Sequence, residues 1–253
     1  MIRPKVTLVG AGPGDPELIS VKGVKALIQA DVVLYDALVH PDLLHHSSSK
    51  AKKVFVGKRA GQHSFSQVEI NQLMVDYALT EGHVVRLKGG DPFIFARGKE
   101  ELEYAEAFGI ETEVVLGISS VNLPGYYGIP LTRRGVNESF WVITATTQKG
   151  ALSKDIALAA QSNATVILLM GLRKLSEITA VFQRQGKGEL PVAVISKGSL
   201  SEGRVIFGSM NTINNNVARS GIKTPALIVA GEAIGTHEHF YDALEQLKTD
   251  FLT

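Results

Sequence analysis

Short apolar runs recur along this chain, and most of them stop at glycine, aspartate or proline. Val6, Leu8 and Val9 read as a buried strand that ends in a turn at residues 10–16. Residues 20–29 follow with Val21, Val24, Leu27 and Ile28 at helical spacing. Further strand-like runs lie at 31–36, 53–57, 84–87 and 113–116. Between them, Ser66-Gln-Val-Glu69 has the form of a capping box. It opens a helix whose buried stripe is Ile70, Leu73, Met74 and Tyr77 and which ends at Gly82. A helix is also predicted over 99–108. Strands alternating with helices at this spacing predict a parallel sheet covered on both faces.

The second half repeats the theme with a difference. Strands are predicted at 140–144, 165–170, 192–195, 204–207 and 226–229, and helices at 155–160, 175–184 and 212–219. Two adjacent strands precede the last helix, which predicts a hairpin and hence a mixed sheet. Residues 128–135 are extended and irregular. The expected organisation is therefore a first α/β domain over 1–130, a link at 131–138 and a second α/β domain over 139–253.

Composition narrows the functional classes. The 253 residues are 45% hydrophobic and 20% charged, ordinary for a globular chain with a substantial core. A formal net charge of +1 provides no global field for nucleic acid or an anionic membrane, so any anionic ligand needs a local basic cluster. No cysteine is present, which excludes disulfides, thiol nucleophiles and thiolate metal sites. The apolar run after Arg3 and Lys5 stops at Gly10, and no 18-residue apolar run follows. The expectation is a cytoplasmic protein with no nucleic-acid or membrane partner.

Candidate chemistry centres on residues 86–98, Arg-Leu-Lys-Gly-Gly-Asp-Pro-Phe-Ile-Phe-Ala-Arg-Gly. Two glycines let backbone approach a ligand or adopt positive φ. Asp91 offers a carboxylate, and Arg86, Lys88, Arg97 and Lys99 surround it in sequence. The plainer reading is a loop in which Asp91 caps a helix. The earlier Gly10-Ala-Gly-Pro-Gly departs from a dinucleotide fingerprint, because the sixth position is Asp15 and Pro13 lacks an amide hydrogen. Asp15, Asp36, Lys58, Asp91 and Ser119 all fall just past strand ends, where ligands bind in parallel sheets. His45-His46 and His237-x-His239 lack supporting acids, so no metal is expected.

Several of these stretches occur together in a recognisable order. They are Val-Gly-Ala-Gly-Pro-Gly-Asp-Pro-Glu-Leu at 9–18, Asp-Val-Val-Leu-Tyr-Asp at 31–36 and Val-Gly-Lys-Arg-Ala-Gly at 56–61. Then come Arg-Leu-Lys-Gly-Gly-Asp-Pro-Phe-Ile-Phe at 86–95, Gly-Ile-Pro-Leu-Thr at 128–132 and Met-Gly-Leu at 170–172. Over residues 5–232 the chain resembles the tetrapyrrole methylase family. The stretches at 56–61 and 86–95 together point to the branch that methylates uroporphyrinogen III.

The resemblance implies two α/β domains with the active site in the cleft between them, and a homodimer. It implies methyl transfer from S-adenosyl-L-methionine to C2 and C7 of uroporphyrinogen III, yielding precorrin-2 for sirohaem, cobalamin or related synthesis. A methylase of a later precorrin, or a tetrapyrrole-binding protein without turnover, are the alternatives. The family's cofactor contacts fall here on Pro13, Gly89, Gly90, Asp91, Ile94, Ser119, Ser120, Met170, Gly198, Ala226 and Leu227. Asp36 is the implied proton acceptor and Lys58 the donor, with Arg97 a rival for the acceptor role. An arginine normally stays protonated, so Arg97 is better suited to gripping a substrate carboxylate, oriented by Glu100. Arg134 and Met170 complete the implied substrate contacts. Uroporphyrinogen carries eight carboxylates, which suits a cluster of Lys58, Arg59, Arg97, Arg133 and Arg134. The chain departs from the family pattern at Leu116, where proline is usual, at Ala96, where glycine is usual, and at Arg133, where histidine is usual. It also departs at 144–146, Thr-Ala-Thr. The missing proline is expected to loosen the turn before Ser119.

Overall fold

The computed structural model describes residues 2–57, 65–238 and 240. The chain divides into two compact units between Ser120 and Val121, ahead of the link expected at 131–138.

The first unit contains β1 (Lys5–Gly10), α1 (Val21–Ile28), β2 (Val32–Tyr35), β3 (Lys52–Phe55), α2 (Gln67–Thr80), β4 (His83–Lys88), α3 (Gly98–Glu106) and β5 (Glu111–Val115). Every strand pair is parallel, in the order β3-β2-β4-β1-β5. Alternate side chains enter opposite cores, as a pleated strand requires. Val6, Leu8, Val32, Leu34 and Val84 pack against Ile70, Met74, Leu102 and Ala105 of α2 and α3. Val9, Val33, Val85 and Leu87 pack against Ala26 and Leu27 of α1, with Leu43 beside them. The capping box at Ser66 is formed in both directions, and Asp15 caps a short turn at Pro16–Leu18. That turn, and another at Pro41–His46, are too short to leave a periodic signal and were not expected.

The second unit contains α4 (Leu123–Tyr126), β6 (Phe140–Thr144), α5 (Asp155–Gln161), β7 (Thr165–Leu169), α6 (Leu175–Arg184), β8 (Pro191–Ser196), β9 (Arg204–Ser209), α7 (Ile213–Ser220) and β10 (Ala226–Ala230). Its order is β6-β7-β10-β8-β9. β6 and β7 run parallel, β8 and β9 form the expected antiparallel pair, and β10 lies antiparallel between β7 and β8. Leu123 and Ile129 are buried with Ile167, Ala193 and Leu227. Asn137, nearly buried, holds the irregular segment ahead of β6. Its amide donates to the carbonyls of Leu131 and Ser139, each at 2.9 Å, and its oxygen accepts from Arg133 N at 2.9 Å. No helix among the described residues is long and apolar enough to cross a membrane.

A charge cluster ties α1 and the edge strand β5 to β1. Lys22 and Lys5 reach Glu113 at 2.7 and 2.8 Å. Together they pull its carboxyl from 4.5 down to about 2. The folded value lies below the unfolded one, so this contribution is complete above pH 4.5 and is lost as pH falls towards 2. Glu113 is partly exposed, and screening limits the contribution to about 1 kcal/mol. Urea unfolding followed from pH 5 to pH 2 is expected to show that loss and to lack it in Glu113→Gln. Identical pH dependence in the two proteins would refute the assignment.

Candidate functional site

The loops after β1, β4 and β5 meet backbone to backbone. A Cβ on Gly10 would stand 2.5 Å from Gly117 N and 2.7 Å from Gly90 O, and one on Gly117 would overlap Gly90 O. Three strand ends therefore approach as closely as bare backbone allows. Gly12 and Gly90 exchange hydrogen bonds, with Gly90 N donating to Gly12 O at 2.7 Å and Gly12 N to Gly90 O at 3.2 Å. Gly89 is equally confined, because its Cβ would meet Leu38 Cβ at 2.5 Å. Gly90 differs. It has φ +71°, and its Cβ would enter open space whose nearest atoms are Ser120 N at 3.9 Å and Ser119 Cα at 4.0 Å. Pro13 is half-buried, while Ile94, Leu116 and Ile118 expose apolar surface. A bare backbone step facing two serines, with apolar side chains exposed on the same loops, fits the polar and apolar parts of a nucleoside-bearing amino acid.

Asp91 does not cap α3. Its Oδ1 accepts from Phe93 N at 2.8 Å and its Oδ2 from Gly117 N at 3.1 Å. The carboxylate is nearly buried and binds the β4 loop to the β5 loop. This clamp also fixes the turn before Ser119, so Leu116, which is 67% exposed, needs no proline to hold it. Phe95 and Arg97 adopt left-handed φ of 53° and 62°, but Ala96 between them does not. Its methyl group therefore imposes no left-handed strain.

The expected ring of cations around this loop is corrected. Arg86 and Lys88 are 4% and 5% exposed and lie inward against Glu101 of α3, which is fully buried. Arg86 Nε reaches Glu101 Oε1 at 3.3 Å. Lys88 Nζ stands 2.8 Å from both carboxylate oxygens, and Gln67 adds a bond to Oε1 at 3.1 Å. Burial pushes the Lys88 ammonium below its ordinary value; Arg86 adds to that push and Glu101 opposes it. Lys99 is exposed and pairs with Glu103 at 3.3 Å.

Asp36 follows β2 at the same end of the sheet. Its Oδ1 accepts from Leu38 N at 3.1 Å, and its Oδ2 lies 3.6 Å from Arg86 Nη2. Arg97 immediately precedes α3 and forks onto Glu100, with Nε at 3.0 Å and Nη2 at 2.6 Å, leaving Nη1 outside the pair. The pairing raises the Arg97 value and lowers that of Glu100. Both side chains are about half exposed. Lys58, Arg59, His63 and His239 lie outside the described residues.

In the second unit, register gathers the remaining candidates. β10 begins beside the ends of β7 and β8, because Leu227 pairs with Leu169 and Ile195, and Ala226 with Ser196. Met170, Gly198, Ala226 and Leu227 thus share one end of the sheet. Met170 is exposed with φ 57°, and Lys197 and Ser199 flank Gly198 at φ 49° and 65°. Such conformations concentrate at functional positions. Leu227 is 3% exposed in the core, so any ligand contact there falls to its backbone. Arg134 is exposed. Arg133 lines a concavity of about 790 Å³ with Tyr127, Phe207 and His237. The His237 ring stacks on Phe207 and its Nε2 lies 3.0 Å from Tyr127 O, a packing role. Among the described residues, no three His, Asp or Glu side chains gather as a metal requires. Sequence reading missed Glu101 and Arg86 as a pair. Their separation of fifteen residues points to contact only once α3 is known to fold back on β4.

Residues 5–214 match the family of tetrapyrrole (corrin/porphyrin) methylases. The chain is 42% identical over 233 residues to a uroporphyrinogen-III C-methyltransferase of Methanocaldococcus jannaschii, covering 91% of this chain and 96% of that one. It is 42% identical to siroheme synthase 1 of Cronobacter sakazakii and covers 92% of itself but only 50% of that protein, so it spans about half of such relatives. A Thermus thermophilus uroporphyrin-III C-methyl transferase complexed with S-adenyl homocysteine superposes with a TM-score of 0.79 at 33% identity, covering 92% of this chain and all of that one.

Gly117→Ala forces a methyl group into the β4 loop and is expected to cost about 3 kcal/mol in urea unfolding. Gly125→Ala, where nothing lies within 4 Å, is the matched control and should stay near the parent. Equal midpoints for the two variants would dismiss the steric account.

Proposed function

Since the chain belongs to the tetrapyrrole methylase family, we propose that it transfers methyl groups from S-adenosyl-L-methionine to C2 and C7 of uroporphyrinogen III, giving precorrin-2. The observation that carries this reading is 42% identity along 96% of a uroporphyrinogen-III C-methyltransferase that has no additional half. Siroheme synthases of about twice this length match over 92% of this chain, which supports a role for the product as a sirohaem precursor.

When bound, the cofactor supplies an electrophilic methyl group on a sulfonium, and no metal is needed. The loop around Gly90 fits it, because the open face of that residue admits backbone contacts that a side chain would block. We assign Pro13, Gly89, Gly90, Asp91, Ile94, Ser119 and Ser120 of the first unit to its contacts, and Met170, Gly198, Ala226 and Leu227 of the second. Asp91 also clamps the loop, because each of its oxygens accepts one backbone hydrogen and keeps a further acceptor site. Catalysis is then chiefly alignment of the pyrrole carbon with the methyl group.

The methylated carbon must lose a proton. Asp36 is assigned as the acceptor, with a carboxylate that is a quarter exposed and held at a strand end. Lys58 is assigned as the donor. Arg97 presents Nη1 to a substrate carboxylate while Glu100 holds the rest of its fork. Arg134 and Met170 are the further substrate contacts. The same reading makes the protein cytoplasmic and a homodimer; light scattering of the purified protein is expected to give twice the chain mass, and a monomer would refute the dimer.

Anaerobic incubation with S-adenosylmethionine and uroporphyrinogen III is expected to give a doubly methylated product. No methylation, under conditions in which a known methyltransferase works, would reject the reading; preference for a precorrin over uroporphyrinogen III would move it to a later step. Asp36→Asn is expected to lower turnover by about 100-fold with S-adenosylhomocysteine affinity unchanged. Full turnover in that variant would remove Asp36 from proton transfer.

A further inference from the structure

Arg86 has no role in the reading above, yet it is buried within ion-pair distance of the proposed proton acceptor. Its guanidinium is fixed on every side but one. Nε is held by Glu101 at 3.3 Å, and Nη1 donates to the carbonyls of Leu87 at 3.1 Å and Leu34 at 3.4 Å. The plane of the fork is thereby set by β2, β4 and α3. Nη2 is what remains, and it faces Asp36 Oδ2 at 3.6 Å.

Asp36 is gripped from two directions as a result. The Leu38 amide holds one oxygen and the Arg86 guanidinium faces the other. Formal charge points the same way. Arg86 and Lys88 carry two positive charges against the single negative charge of Glu101, and Asp36 supplies the second carboxylate. A cation this deeply desolvated is strongly attracted to a carboxylate at its rim. A planar fork also fixes direction in a way that a flexible ammonium does not.

We propose that Arg86 is a positioning residue for Asp36: a buried guanidinium, locked by Glu101 and two carbonyls, that aims the acceptor carboxylate. This rests on the assignment of Asp36 to proton transfer. Arg86 is 4% exposed and is assigned to act through Asp36. Glu101 keeps Lys88 and Gln67 as partners when Arg86 is replaced, so the surrounding knot retains a counter-charge.

Two measurements test the proposal. Crystal structures of the parent and of Arg86→Met are expected to differ in the direction of the Asp36 carboxylate; an unmoved carboxylate overturns the proposal. In a double-mutant cycle, Arg86→Met alone is expected to lower methyl transfer by about 100-fold without altering S-adenosylhomocysteine affinity. Added to Asp36→Asn, it should cost little further. Arg86→Lys should recover part of the loss. Equal losses in both backgrounds, or a loss of cofactor affinity in step with turnover, would mark Arg86 as a fold residue only and overturn the proposal. If Arg86→Met does not fold, Arg86→Lys is carried through the same structure and cycle. If the parent protein itself transfers no methyl group, the methyltransferase reading fails, and the crystallographic comparison still decides whether Arg86 aims Asp36.

Discussion

The burial of Glu101 between Arg86 and Lys88 is the constraint on which the first unit turns. A carboxylate with no exposure is tolerated only when cations and hydrogen bonds replace its water. Both cations come from β4 and the carboxylate from α3, so the helix has one acceptable seat on the sheet. That seat fixes what the first turn of α3 presents outward, namely Arg97 and Glu100. It also fixes the path of the chain between β4 and α3, which is the Gly89–Asp91 turn and its aromatic continuation. The knot reaches Asp36 through Arg86, so one buried cluster adjoins both the loop and the proposed acceptor.

Above this knot, space governs rather than charge. Gly10, Gly90 and Gly117 let three strand ends touch, and Asp91 binds two of the loops through backbone amides. The basic residues nearest in sequence point inward, leaving bare backbone and apolar side chains for a ligand. This suits a cofactor that carries its own positive charge on sulfur and nitrogen better than it suits a phosphate, which would call for exposed cations. The two departures from the family pattern in this region are absorbed locally. Ala96 avoids the left-handed conformation taken by both neighbours, and the Asp91 clamp holds the turn that follows Leu116.

The second unit reaches a comparable result by a different topology. A parallel strand in the place of β10 would begin at the opposite end of the sheet, away from the ends of β7 and β8. The antiparallel insertion puts Ala226 and Leu227 beside Leu169 and Ser196, and so brings the segments carrying Met170 and Gly198 to one end. Left-handed residues cluster there as they do at Phe95 and Arg97. Both units therefore concentrate backbone strain at the strand ends where their candidate residues lie.

Hydrophobic period alone determined the strands and most of the helices, because alternation and helical spacing are local consequences of burial. The Ser-x-x-Glu motif located the capping box at Ser66, whose two bonds span three residues, and the adjacency of two short strands gave the antiparallel pairing of β8 with β9. Motif order determined the family. The fate of each polar side chain was not legible in the same way. Arg86, Lys88 and Asp91 read as equivalent members of a charged loop, yet two are buried against a helix and the third is bound to a loop twenty-six residues away. Glu101 carried no motif at all. The central place of β10 was likewise beyond a pattern of apolar runs, since strand order depends on which edges pair in three dimensions. Sequence determines which groups exist and which local element bears them. Only tertiary structure decides which charges lose their water together, because desolvation depends on neighbours distant in the chain.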